Sequence, residues 1–97
     1  MYYLYILYSE QYDKYYVAQT NDLDRRMEEH NTSEKNTYTS KYRPWKMAKS
    51  FEIGESLGLA RKVENYIKGQ KSKKFIERLL ELENIDRIIS RLQGGKG

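Results

Sequence analysis

Apolar residues crowd two short runs near the start of this chain. Tyr2-Tyr3-Leu4-Tyr5-Ile6-Leu7-Tyr8 and Tyr15-Tyr16-Val17-Ala18 are wholly aromatic or aliphatic. Short runs of this composition predict β-strands. The polar connector from Ser9 to Asp13 is brief enough to fold them into an antiparallel hairpin. Thr20-Asn21-Asp22 interrupts the pattern and supplies a helix N-cap. The period then changes. Leu23, Met27 and His30 share one face of a helix running from about Asp22 to His30. Arg26 borders that face, four residues before His30, whereas Arg25 points away. Geometry therefore selects Arg26 as the inward arginine.

Asn31 to Tyr42 shows no apolar period and reads as a loop, mobile over Thr32 to Thr37. Thr39-Ser40-Lys41-Tyr42-Arg43 offers hydroxyl and basic groups to phosphates, or is simply a solvated loop. Pro44 suits an edge or a strand start. Trp45 to Glu52 alternates well enough for a third strand. Trp45, Met47 and Phe51 are expected in the core, with Ala48 and Ser50 on the other side. Ile53-Gly54 is expected to end that strand. A second helix should run from Glu55-Ser56 to about Lys68 and stop at Gly69. Leu57, Ala60, Val63 and Ile67 form its buried stripe, and Glu64 falls inside it. A carboxylate facing a core is costly unless it is paired or binds a metal. Gln70 to Lys74 is a basic turn, suited to phosphate contact or to solvent. The third helix should bury Phe75, Ile76, Leu79, Leu80 and Leu82. Ile85, Ile88, Ile89 and Leu92 keep helical spacing in a further short segment. Residues 93–97 read as a disordered tail. The expected fold is α+β: a small three-stranded antiparallel sheet flanked by helices, in the order β-β-α-β-α-α. One domain should span residues 1–92.

Composition narrows the function classes. Ninety-seven residues allow one modest core. Cysteine is absent, which removes disulfides and thiolate metal sites and accords with a reducing cytoplasm. No apolar run approaches the roughly 20 residues of a membrane span, and Met1 leads straight into a strand rather than a signal peptide. A net charge of +4 leans toward a polyanionic partner. Ten tyrosines can serve core and surface together, each having an apolar ring and a polar tip.

Tyr3-Leu4-Tyr5 and Tyr16-Val17-Ala18 stand where GIY-YIG nucleases carry their two name-giving tripeptides. Arg26 follows ten residues after Tyr16, His30 one helical turn later, and Glu64 on the second long helix. This ordered set, over about residues 1 to 80, resembles the GIY-YIG superfamily. The match is to its small single-domain bacterial members, which are similar to the nuclease domain of the excision-repair incision subunit. The resemblance implies a metal-dependent endonuclease hydrolysing DNA phosphodiester bonds, in repair or recombination. It implies Tyr5 as general base and Tyr16 as a group orienting water or phosphate. Arg26 would neutralise charge on the phosphate, and Glu64 would hold magnesium or manganese. His30 would assist proton transfer or position Tyr5. DNA is the expected partner, with RNA left open. Its phosphates would meet Arg26, Lys41, Arg43, Lys71, Lys73 and Lys74. A monomer in the cytoplasm, with a recruiting protein partner, completes the expectation. Ala18 and Tyr3 replace glycines of the two tripeptides, and the Ala18 methyl could crowd an approach to substrate. The alternatives are a nucleic-acid-binding module on the same fold without cleavage, and a protein-interaction domain.

Overall fold

Strand β1 (Tyr2–Ser9) lies between β2 (Lys14–Thr20) and β3 (Lys46–Gly54), antiparallel to both. Its central position explains its composition. A strand covered on both faces reads as a continuous apolar run rather than an alternating one. Leu4, Tyr5, Ile6 and Leu7 are all fully buried. Residues 1–34 and 37–93 of this computed structural model are described below.

Successive side chains of β1 enter two different cores. Leu4 and Ile6 join Val17 of β2 and Phe51 of β3. Ala60, Val63 and Ile67 of helix α3 (Leu57–Gly69) cover that face. Leu79 of α4 (Lys73–Leu79) and Ile88 of α5 (Asp86–Gln93) extend the same core. Tyr5 and Leu7 point the other way, toward Ala18, Trp45 and the half-buried Leu23 and Met27. Leu23 and Met27 belong to α1 (Leu23–Thr32). A one-turn helix, α2 (Tyr38–Lys41), precedes β3. The sheet and the flanking helices are those expected. The order gains α2, in a stretch that was expected to be loop, while α5 is the further short segment expected around Ile85 to Leu92.

The third strand departs from simple alternation. Ile6 pairs with Lys49 but Leu7 pairs with Met47, leaving Ala48 as an extra residue. Such a bulge reverses which face the following residues present. Trp45 and Met47 therefore belong to one core, while Phe51 and Ala48 belong to the other. Phe51 was expected beside Trp45, with Ala48 opposite, and the bulge is why it is not. The strand does end at Ile53-Gly54, as expected. Ile53 is buried, and Gly54, at a φ of 140°, is the last paired residue.

Local chemistry sets the helix starts. Asp22, Ser56 and Ser72 each accept a hydrogen bond from the backbone N–H three residues on. Helix α3 does stop at Gly69, though not through a left-handed glycine. Gly69 is the last helical residue, and Lys71, at a φ of 47°, makes the left-handed turn instead. Of the expected tail, Gln93 ends α5, and residues 94–97 lie outside the described residues. Lys35 and Asn36, within the expected mobile loop, also lie outside them.

The segment between α1 and β3 is tied to the end of α1. The Asn31 amide donates to the Trp45 carbonyl at 2.9 Å and accepts from the Trp45 N–H at 2.7 Å. Arg43 donates to the carbonyls of His30 at 2.6 Å and Ser33 at 2.5 Å. The Trp45 indole donates to the Thr39 carbonyl at 2.7 Å. Asn31→Ala should lower the unfolding free energy by about 1–3 kcal/mol, since it leaves both Trp45 backbone groups unpaired. Urea denaturation measures this. A loss under about 0.5 kcal/mol, the usual size of a surface effect, would show that the segment is held by other contacts.

Candidate functional site

Tyr5 carries its phenol into a fully buried position at the middle of β1. A buried hydroxyl needs a partner. His30, in the last turn of α1, provides it: Tyr5 Oη and His30 Nε2 are 2.7 Å apart. Tyr16 stands two residues before Ala18, the cross-strand partner of Tyr5, so both tyrosines project from one face. The Tyr16 ring meets the His30 ring edge-on, with centroids 5.2 Å apart. The Ala18 methyl is itself buried beside Tyr5 in that core.

Of these groups Tyr16 and His30 border a cleft of about 320 Å³, whereas Tyr5 and Ala18 are buried and do not line it. Arg26, Glu29 and His30 of α1 form one wall, and Tyr16 forms the floor. Thr37, Tyr38 and Thr39 form the facing wall. Arg26 is the inward arginine, at 36% exposure against 60% for Arg25. Its Nη1 lies 2.9 Å from Glu29 Oε1. Glu29 was not singled out from the sequence, though its position three residues after Arg26 permits this pairing.

Glu64 occupies the margin of the buried stripe of α3, not its centre. Its side chain is 20% exposed and pairs with Lys68 Nζ at 2.8 Å. The Lys68 ammonium also lies 5.4 Å from the Tyr16 ring centroid. Lys68 was overlooked in the sequence despite standing one turn beyond Glu64. The Glu64 charge nevertheless reaches Tyr5 and opposes its ionisation. Tyr5, Tyr16, Arg26, His30 and Glu64, scattered over four elements, are thus gathered within electrostatic reach of one phenol. Gln19 pairs with Leu4 and so lies on the opposite face of the sheet.

The basic residues divide differently. The Arg43 guanidinium is spent on backbone carbonyls. Lys73 pairs with Asp13 Oδ2 at 2.5 Å. Lys41, Lys71 and Lys74 are exposed and do not line the cleft.

Burial dominates the acid–base properties. It raises the Tyr5 pKa above the usual tyrosine value, and the nearby Arg26 offsets this only in part. Burial, reinforced by Arg26 and Arg43, lowers the His30 pKa from 6.5 to about 4. At neutral pH the pair is therefore a protonated phenol beside a neutral imidazole, which can accept the phenol's proton. Among the described residues no three His, Cys, Asp or Glu side chains cluster as a metal cage. A single carboxylate, Glu64, suits a hard divalent ion that keeps most of its waters. It does not suit zinc, which takes several protein ligands.

The His30 shift has a consequence for stability. Between pH 6.5 and about 4 the unfolded chain binds a proton on this imidazole and the folded chain does not. Stability from this group is complete above pH 6.5 and is lost as the pH falls toward 4. The loss should be on the order of 3 kcal/mol at most. Urea denaturation at pH 7.5 and pH 4.5 should show wild type losing more stability than His30→Gln. Parallel losses in the two proteins would contradict the assignment.

No helix among the described residues is long and apolar enough to cross a membrane. No curated protein matches the chain. A family model, the GIY-YIG catalytic domain, matches residues 1–77 of the 97. That family has a nuclease-type fold, implies a DNA substrate, and generally depends on a divalent metal. With a three-stranded antiparallel sheet, flanking helices and most of its length matched, the chain belongs to the GIY-YIG superfamily.

Proposed function

We propose that the cleft is the active site of an endonuclease that hydrolyses DNA phosphodiester bonds with magnesium or manganese. The observation that carries this reading is that Tyr16, Arg26 and His30 line one cleft, with Tyr5 hydrogen-bonded to His30 and Glu64 within electrostatic reach of Tyr5. A substrate phosphate enters beside Arg26, whose fixed charge is best used on the charge that builds at phosphorus. Glu64 would hold the ion, which when bound would supply Lewis-acid stabilisation and an acidic water for the leaving oxygen. Tyr5 is the base toward the attacking water. Its raised pKa disfavours a free phenolate, so the proton has to leave by another route. Tyr5 takes a proton from water while passing its own to His30 Nε2, 2.7 Å away. Tyr16, edge-on to His30, keeps the imidazole in place and faces the phosphate. Exposed Lys41, Lys71 and Lys74 add non-specific attraction for the backbone. The setting is DNA repair or recombination in the cytoplasm.

One observation favours a second reading. Lys68 already neutralises Glu64 at 2.8 Å, as would suit a nucleic-acid-binding module without cleavage. The two readings separate on supercoiled plasmid. The nuclease should nick it only with magnesium or manganese. Arg26→Ala should slow nicking by roughly a hundred- to a thousandfold, and Glu64→Gln should abolish it. Magnesium should raise the melting temperature of wild type and not of Glu64→Gln. The variant itself should stay within about 1 kcal/mol of wild type, because the ion pair it loses is partly exposed on its lysine side. A salt-dependent gel shift without nicking by wild type would favour the binding module.

A further inference from the structure

Aromatic rings continue outward from the cleft. Tyr38 lies 6.0 Å from Tyr16, Tyr42 lies 5.0 Å from Tyr38, and Tyr12 lies 5.2 Å from Tyr42, between centroids. Tyr12 and Tyr38 are 43% and 42% exposed. A single exposed tyrosine needs no explanation. Four in contact, leading from solvent to the Tyr5–His30 pair, form a surface with a direction. They come from three separate segments: the β1–β2 turn, β2, and the neighbourhood of α2. Sequence proximity therefore does not force the contact. The outer pairs meet at 72°, so neither pair covers ring face with ring face.

Tyr38 also divides two depressions. The cleft lies on one side of it. On the other is a groove of about 220 Å³ lined by Asp13, Lys14, Tyr15, Lys73 and Ile76. In that groove Asp13 is neutralised by Lys73 at 2.5 Å and accepts from the Tyr8 hydroxyl at 2.7 Å. The Lys14 ammonium instead lies 5.0 Å from the Tyr42 centroid. Among the described residues no carboxylate pairs with Lys14.

We propose that Tyr12, Tyr38 and Tyr42 form a stacking platform for unpaired bases, and that the strand led into the cleft is single-stranded. This deepens the nuclease reading of the adjoining cleft and rests on it. Bases in a duplex have their faces covered by their neighbours, whereas an unpaired base can stack on a tyrosine ring. Every base has such a face, so the platform tolerates any sequence. Lys14 provides the positive charge that a strand's backbone requires beside stacked bases. Tyr38, shared by both depressions, lets a base stack while its phosphate reaches Arg26.

Fluorescence polarisation with the wild-type chain in EDTA tests this without cleavage. The probes are a labelled single strand, its blunt duplex, and a strand of equal length with abasic residues. The single strand should bind at least tenfold tighter than the other two. Tyr38→Ala and Tyr12→Ala should each weaken single-strand binding by roughly five- to a hundredfold. Tyr38→Phe should retain it, and Tyr12→Ala should leave duplex binding unchanged. Melting curves verify that each variant is folded. If Tyr38→Ala fails to fold, Tyr12→Ala and the abasic probe decide. Equal binding of duplex or abasic strand, indifference to both alanine variants, or no binding at all would overturn the platform. Nicking of plasmid and of the labelled single strand in magnesium judges the catalytic reading separately. Nicking without single-strand preference overturns the platform alone, and ring-dependent binding without nicking overturns the nuclease alone.

Discussion

The hydrogen bond between Tyr5 and His30 joins the two parts on which the site depends. Tyr5 sits on the central strand, which is buried on both faces, so its hydroxyl depends on a protein partner. His30 lies near the end of α1, the helix that covers one face of that strand. A buried phenol without a partner would cost roughly 1–3 kcal/mol. The pairing therefore fixes where α1 docks along the sheet. Arg26, one turn earlier on α1, is brought to the mouth of the cleft by the same docking. Asn31 and Arg43 then hold the following segment against the end of α1, which places Tyr38 on the facing wall.

The same burial gives the site its chemistry and its difficulty. A dry environment keeps His30 neutral and able to accept a proton. It also holds the proton on Tyr5 more tightly. Arg26 works against the second effect but does not overcome it. Glu64 is handled differently. It stands at the edge of α3 with Lys68 as counter-ion, so its charge is tolerated with no metal bound. In the proposed nuclease a dication at Glu64 would have to displace or share the contact with Lys68.

Much was legible in the sequence because it depends on neighbours along the chain. The hairpin, the N-cap at Asp22, the buried stripe of α3 and the inward choice of Arg26 over Arg25 all follow from period and local hydrogen bonding. The unbroken apolar run from Tyr2 to Tyr8 already carried the signature of a strand covered on both sides. The order of Tyr5, Tyr16, Arg26, His30 and Glu64 along the chain pointed to the superfamily that the family match shows.

What the tertiary structure decided rests on contacts between distant residues. The bulge at Ala48 is set by pairing with Ile6 and Leu7, and it sends Phe51 and Trp45 to opposite cores. Helix α2 has no apolar period of its own; it forms because Trp45, Arg43 and Asn31 anchor its surroundings. The sequence offered Arg43 as a phosphate contact, yet its donors meet carbonyls that only the folded α1 presents. The aromatic row from Tyr12 to Tyr16 joins segments that come together only once β1 has its neighbours. Composition and period fix which face of an element seeks burial. Which distant partner meets that face is fixed only when the whole chain satisfies its cores and hydrogen bonds together.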